Sequence, residues 1–380
     1  MGPLHGTKVI EFGAIGPGPF CAMMLSDMGA EVLRLDRMEP PDLGLQRETR
    51  FATLNRGRRS VAMDLKAEGA VATVLRLVEK ADAIIEGFRP GVMERLGLGP
   101  DACLTANPRL VYGRITGWGQ EGPLAQAAGH DINYLAISGA LHAIGREGQL
   151  PSPPQNFLAD MAGGGMYLSF GIVCALLEAR TSGKGQVVDA AMVDGVASIL
   201  TSVHGMYAAG LIGDRRGENH YDGGSPWYDS YETADGQLVA VGAIESRFYG
   251  TLLKLLGLDA KDLPGQHDRA GWPVLRARFG DAFRKKTREE WLKLMDGKDV
   301  CVAPVLTLGE AMEHPHLKAR GTFIEVAGVR QPAPAPRFSR SAPDHPAPPP
   351  EPGAHTDAAL ADWGFSHAEI SGLREAKAIA

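Results

Sequence analysis

Apolar residues in the first half of the chain fall into short unbroken runs, and between those runs they recur every three to four positions. The runs "KVIEF", "EVLRLDR", "DAIIEGF" and "RLVYGRITGWG" read as strands. The stretches "GPFCAMMLSDMGA", which ends at Gly29, and "AEGAVATVLRLVEKA" carry helical spacing. Strands alternating with helices predict a mainly parallel sheet covered on both faces. Further on, "DMAGGGMYLSFGIVCALLEARTSGKGQ" predicts a long apolar helix with Asp160 at its start and a glycine-rich exit, and "VVDAAMVDGVASILTSVHGMYAAGL" a strand and a helix.

The character then changes. "GENHYDGGSPWY" is glycine-rich and loop-like, and "YDSYETADGQLVAVGAI" is a pair of β-rich runs around Asp235-Gly236, a hairpin signal. Helical patterns follow to about residue 312. "QPAPAPRFSRSAPDHPAPPPEP" is proline-dense and predicts an extended crossing segment. After it "SHAE" at 366–369 is a capping box, so the tail is expected to return as a helix and dock on a folded body. The expected fold class is α/β: a Rossmann-like large domain with a parallel sheet, plus a smaller α+β domain. The expected boundaries are 1–190 for the large domain, completed by 335–380, a linker at 191–227, the small domain at 228–310 and a return linker at 311–334.

Length agrees with two domains, since 380 residues exceed what one core usually supports. Net charge is −6 and the pI near 6.0, which argues against non-specific nucleic-acid binding but leaves room for a local basic pocket. The cysteines, Cys21, Cys103, Cys174 and Cys301, lack CxxC spacing and read as reduced, in a cytoplasmic protein without structural zinc. The His314-Pro315-His316 triplet has no further ligands to make a metal site. No signal peptide is evident in "MGPLHGTKVIEF", "AKAIA" is not a peroxisomal address, and no apolar run of 18 residues is read, so no membrane partner is expected.

The opening strand, glycine turn, helix, and strand ending at Asp36 imitate a dinucleotide-binding unit. The glycines do not fit: counted from Gly16 and Gly18, the third position is Cys21, and Pro17 and Pro19 remove two amides a pyrophosphate would use. Chemistry is sought elsewhere. "AGHDINY" places His130 beside Asp131, Asp160 opens the glycine-rich helix, Glu245 follows the hairpin, and Arg37, Arg56, Arg58, Arg59, Lys66 and Arg89 lie at strand ends or in loops. Each also has a plainer reading. His130 is then a structural histidine, Asp160 a helix cap, Glu245 a solvated first-turn residue, and "NRGRRS" a charged loop.

Taken together, "GPGPFCAMMLSDMGAEVLRLDR", "NRGRRSVAMDLK", "GFRPGVMERLGLGP", "AGHDINYLAISG", "ADMAGGGM", "RTSGKGQVVDA", "DGGSPWYDSYETADGQLVAVGAIE" and "CVAPVLT" resemble, in order and over essentially the whole chain, the family III CoA-transferase superfamily and its 2-methylacyl-CoA racemase branch. The resemblance implies an isomerase of acyl-CoA and lipid metabolism, an interlocked homodimer, and no cofactor, because CoA is part of the substrate. It implies His130 and Asp160 as the two acid/base groups and Glu245 as the hydrogen-bond partner of His130. CoA contacts are implied at Arg37, at Met63, Asp64, Leu65 and Lys66, at Arg89, and at Gly129, Asp131, Ile132, Asn133 and Tyr134. A family III CoA-transferase with Asp160 as nucleophile is the alternative. Adjacent residues cannot bracket a planar intermediate, so Asp131 is expected to anchor its loop and offer its amide to the substrate rather than act as a catalyst.

Overall fold

The computed structural model describes residues 2–39 and 45–380. They form two compact units, one of residues 2–138, 155–199 and 321–380, the other of 139–154 and 200–320. Residues 139–154 therefore group with the second unit, and the segment expected as a return linker contributes its last part, from residue 321, to the first.

In the first unit, six strands make one sheet: β1 (Lys8–Phe12), β2 (Glu31–Asp36), β3 (Arg59–Ala62), β4 (Ala83–Glu86), β5 (Val111–Thr116) and β6 (Gln186–Ala191). Their spatial order is β3-β2-β1-β4-β5-β6 and every pairing is parallel. Ile10, Phe12, Leu33, Leu35 and Ile84 join the core on one face; their neighbours Val9, Val32, Ala83 and Ile85 join the core on the other. Two buried faces explain why these strands read as unbroken apolar runs. The tail docks as expected. Helices Thr356–Asp362 and His367–Glu375 bring Leu360, Trp363 and Ile370 into the first of these cores, and Trp363 Nε1 donates to Glu31 at 2.8 Å. Ser366 and Glu369 form the expected capping box.

Strand order reverses direction between β1 and β4, and in such sheets the crevice opens at the carboxyl ends of the strands flanking that switch. The chain reaching this crevice from below is unusual. Phe157–Met166 is a wide π-helix that continues into the α-helix Tyr167–Ser182. Asp160 lies in the first turn of the wide helix, and the cap position belongs to Asn156. Glycines make the placement possible, because a Cβ on Gly195 of helix Met192–Ile199 would fall 1.8 Å from the Gly163 carbonyl oxygen. The expectation that no segment reaches membrane-spanning character is corrected. The 26-residue helix Phe157–Ser182 has an 18-residue window of mean hydropathy 1.4, long and apolar enough by composition, with 44% of that window buried. The long apolar helix read from Asp160 onward is present and begins three residues earlier, at Phe157.

The second unit is built on an antiparallel sheet of β7 (Tyr228–Glu232), β8 (Leu238–Gly242) and β9 (Val302–Pro304). Gly236 turns the β7–β8 hairpin with a φ of 72°, as Asp235-Gly236 foretold. Trp227, Tyr231, Trp272, Phe279, Phe283 and Trp291 dominate its core.

Because the wide helix and helix Met192–Ile199 touch backbone to backbone, Gly195→Ala is expected to destabilise the fold by about 3 kcal/mol. Urea unfolding measures this, and a change below about 0.5 kcal/mol refutes such close packing.

Candidate active site

A cavity of about 950 Å³ opens at the switch point, within the range of ligand sites. Its walls come from the turns after β1 (Gly13–Gly18), β4 (Gly87–Pro90) and β5 (Gly117, Trp118), together with Gly129, His130, Asn156 and Asp160. The glycine turn after β1 receives the acid/base segment. Gly16 has a φ of 70°, and a Cβ there would lie 3.2 Å from Asp160 Oδ2. A carboxylate so close to this turn repels a pyrophosphate, which strengthens the argument against dinucleotide binding.

His130 is exposed and heads the short helix Asp131–Ile137 in extended conformation (φ −133°, ψ 176°), with its amide donating to the Asn133 side chain at 3.0 Å. Tyr134 lies under this loop, its hydroxyl donating to the Gly129 carbonyl and its ring set edge-on to Trp118, centroids 4.8 Å apart. Burial, reinforced by the Asp160 charge, pushes its phenol up to about 12, so Tyr134 keeps its hydroxyl proton. Asp131 is buried, and its Oδ2 accepts the amides of Ala159 and Asp160, each at 2.8 Å. The expected anchoring role of its side chain is thus visible.

Asp160 receives the Asn156 side-chain amide at 3.2 Å. Its carboxyl is held above the ordinary aspartate range. Burial is the main cause and the Asp131 charge adds to it; the Asn156 bond and His130 oppose.

Of the implied contact residues, Arg37, Arg89, Gly129, Asn133 and Tyr134 line the cavity with His130 and Asp160. Asp131 and Ile132 are not among its walls. Neither are Met63, Asp64, Leu65 and Lys66, which follow β3 at the same carboxyl edge. There the Met63 amide continues the ladder to the Asp36 carbonyl at 2.9 Å, and the Asp64 amide donates to Ala378 at 2.9 Å. Glu245 belongs to the second unit. It is exposed at the head of helix Ser246–Leu256 and makes no side-chain cap bond there.

Two of the arginines singled out in the sequence do not reach the cavity. Arg56 and Arg58 are each 3% exposed; Arg56 pairs with Asp27 at 2.6 Å, and Arg58 with Glu11 at 3.1 Å. A guanidinium this dry requires a carboxylate, and that pairing takes both from the anion site. Arg59 pairs with Asp362 at 2.8 Å. In their place Arg47 lines the cavity, beside Trp118 and Asn156. Trp118 could have been found by its place just beyond a parallel strand, and Asn156 by its spacing of four from Asp160. Nothing distinguishes Arg47 in its charged loop.

Residues 4–356 match the model of CoA-transferase family III. The chain is 47% identical over 373 residues to α-methylacyl-CoA racemase of Mus musculus, covering 97% of this chain and 95% of that one. It is 45% identical over 380 residues to α-methylacyl-CoA racemase of Homo sapiens, covering 99% and 97%. Among solved structures, a CAIB/BAIF family protein from Brucella suis is similar at a TM-score of 0.81 and 28% identity, covering 95% of this chain and 99% of that one.

A carboxyl raised in the native state stays protonated to higher pH than in the unfolded chain, so unfolding releases a proton. The stability it contributes is present below its unfolded value of 3.8 and is lost as pH rises through the native value. Asp160→Asn removes that decline. Its melting temperature is expected to gain on the wild type from acid to neutral pH and then level off. Thermal unfolding across that range measures the gap, and one that shrinks as pH rises contradicts the raised carboxyl.

Proposed function

The chain belongs to CoA-transferase family III, and we infer that it is an isomerase that interconverts (2R)- and (2S)-2-methylacyl-CoA thioesters. The observation that carries this is one cavity presenting two acid/base groups from different segments, His130 and a carboxyl raised toward its protonated form, Asp160. The near-full-length identity to two α-methylacyl-CoA racemases supports it.

Inverting the α-carbon takes a proton from one face and returns one to the other. His130, neutral, removes it from the (2S) ester while protonated Asp160 delivers to the opposite face; the roles exchange for (2R). A thioester α-carbon is about a dozen pKa units less acidic than imidazolium, on the order of 16 kcal/mol uphill. A base alone does not overcome this, so the enolate oxygen requires fixed donors in a site shielded from water. The Asp131 amide, at the helix head beside His130, is assigned that role. Glu245 is assigned the orientation of the His130 imidazole, as a carboxylate orients the base in hydrolase triads. CoA phosphates are met by Arg37, Arg89 and Arg47, whose forks suit phosphate oxygens. Met63, Asp64, Leu65 and Lys66 extend the CoA path along the sheet edge, and Ile132 lies beside it. No cofactor takes part in this scheme.

The reading includes a homodimer. Phe157, Phe170 and Leu177 are 61%, 71% and 66% exposed along one helix, an apolar stripe that a second copy would cover. It also includes a cytoplasmic setting in branched acyl-CoA and lipid metabolism, with which four unpaired cysteines agree.

Incubation with a (2R)-2-methylacyl-CoA in D₂O is expected to yield α-deuterium together with both diastereomers, and His130→Ala to slow both by about 10²-fold or more. Absence of exchange, with CoA passing to an added carboxylate and hydroxylamine-sensitive labelling of Asp160, would instead make the protein a transferase. Light scattering is expected to give twice the chain mass, and Leu177→Asp to lower it; a monomeric wild type removes the dimer from the reading.

A further inference from the structure

The Asp131 carboxylate has an unusual position. It is 5% exposed, and its Oδ2 takes the amides of Ala159 and Asp160, both at 2.8 Å. Its Oδ1 is buried and has no hydrogen-bond partner among the described residues. An anchor alone does not need a charge here. The carbonyl of an asparagine accepts the same two amides, and a dry unpaired carboxylate oxygen is costly.

Those amides sit at the head of the wide helix, where backbone N–H groups lack helical acceptors and favour a negative charge. Here the Asp131 carboxylate supplies it, while Asp160 itself lies in the first turn. Yet the only hydrogen bond to the Asp160 carboxyl among the described residues comes from the Asn156 side chain.

We propose that Asp131 is a positioning residue of the reaction: its carboxylate, fixed by the Ala159 and Asp160 amides with Oδ1 unpaired, keeps a buried negative charge next to the Asp160 carboxyl in the cavity that Asp160 shares with His130. The inference rests on reading Asp160 as an acid/base group. Two neighbouring carboxyls with unequal backbone support do not share a proton evenly, and it favours the one without the amides. The remaining groups around Asp160 leave this contrast in place. His130 and Tyr134 face it from the Asp131 helix, and Asn156 from its own segment. The Gly13–Gly18 turn brings no charge. On helix Met192–Ile199, Asp194 is exposed and acts on Asp189. Arg37, Arg47 and Arg89 line the same cavity.

Carbon-13 NMR of aspartate-labelled protein follows the Asp160 carboxyl directly, with Asp160→Asn assigning its resonance. Asp131→Asn keeps an acceptor for both amides and removes the charge; Asp131→Ser serves if that variant does not fold. The Asp160 midpoint is expected to fall by about one pH unit or more. In the deuterium-exchange assay, kcat is expected to fall about ten-fold or more, with KM for the acyl-CoA within about two-fold. An Asp160 midpoint that stays put, or an unchanged kcat, overturns the proposal. If the wild type exchanges no α-proton, the racemase reading is what fails, and the NMR midpoint alone then decides whether Asp131 governs Asp160.

Discussion

Everything at the candidate site depends on backbone touching backbone along the glycine segment 163–165. These residues lie against helices Pro17–Asp27 and Met192–Ile199 where side chains do not fit: a Cβ on Gly165 would meet the Pro17 carbonyl at 2.8 Å, and one on Gly164 the Met192 side chain at 2.8 Å. Close contact lets the wide helix rise to the carboxyl edge of the sheet and deliver Asp160 beside Gly16. A π-helical turn carries a cost in hydrogen-bond geometry and often marks a working position. Here it sets the height at which the Asp160 carboxyl meets the cavity.

Charge is used in two opposite ways around that cavity. Beneath the sheet edge, Arg34, Arg56 and Arg58 are matched to Glu11, Asp27 and Asp36 in a dry network, with Arg34 donating to Asp36 at 2.7 Å. A network of this kind adds little net stability against apolar side chains, but it is strongly disfavoured when one partner is missing. It holds residues 55–58, just ahead of β3, in one arrangement. Arg37, Arg47 and Arg89 lie instead on the cavity wall, where an anion can reach them. This is how a chain of net charge −6 accommodates a polyanionic ligand.

What could be read from the sequence follows from how local each signal is. β1, β2, β4 and β5 were legible because a parallel strand buried on both faces is an unbroken apolar run, and the Asp235-Gly236 hairpin and the Ser366–Glu369 box because each needs only four residues; β3 (Arg59–Ala62) was not, because its four residues open inside the charged "NRGRRS". The parallel sheet and the second domain follow from their succession. The wide helix was not legible, since periodicity cannot distinguish a π-turn from an α-turn over ten residues. Nor could "NRGRRS" reveal that Arg56 and Arg58 point inward, because their carboxylates, Asp27 and Glu11, lie in other elements. His130 and Asp160 were identified as chemistry by resemblance to a family rather than by spacing. Only the fold brings segments 30 residues apart to one cavity.

The strand order explains why the dinucleotide imitation arises and why it is incomplete. An order of 3-2-1-4-5-6 places a crevice between β1 and β4 whatever the ligand. A dinucleotide site fills that crevice by giving the turn after β1 to a pyrophosphate, which needs open amides and no carboxylate nearby. Here Pro17 and Pro19 remove amides and Asp160 stands 3.2 Å from the Cβ position of Gly16, so the turn is poorly suited to a pyrophosphate. Arginines on neighbouring loops, Arg37, Arg47 and Arg89, instead offer the cavity its positive charge. An anion held at those arginines rather than at the turn would leave the Asp160 carboxyl, raised above the ordinary aspartate range, free of a second neighbouring negative charge.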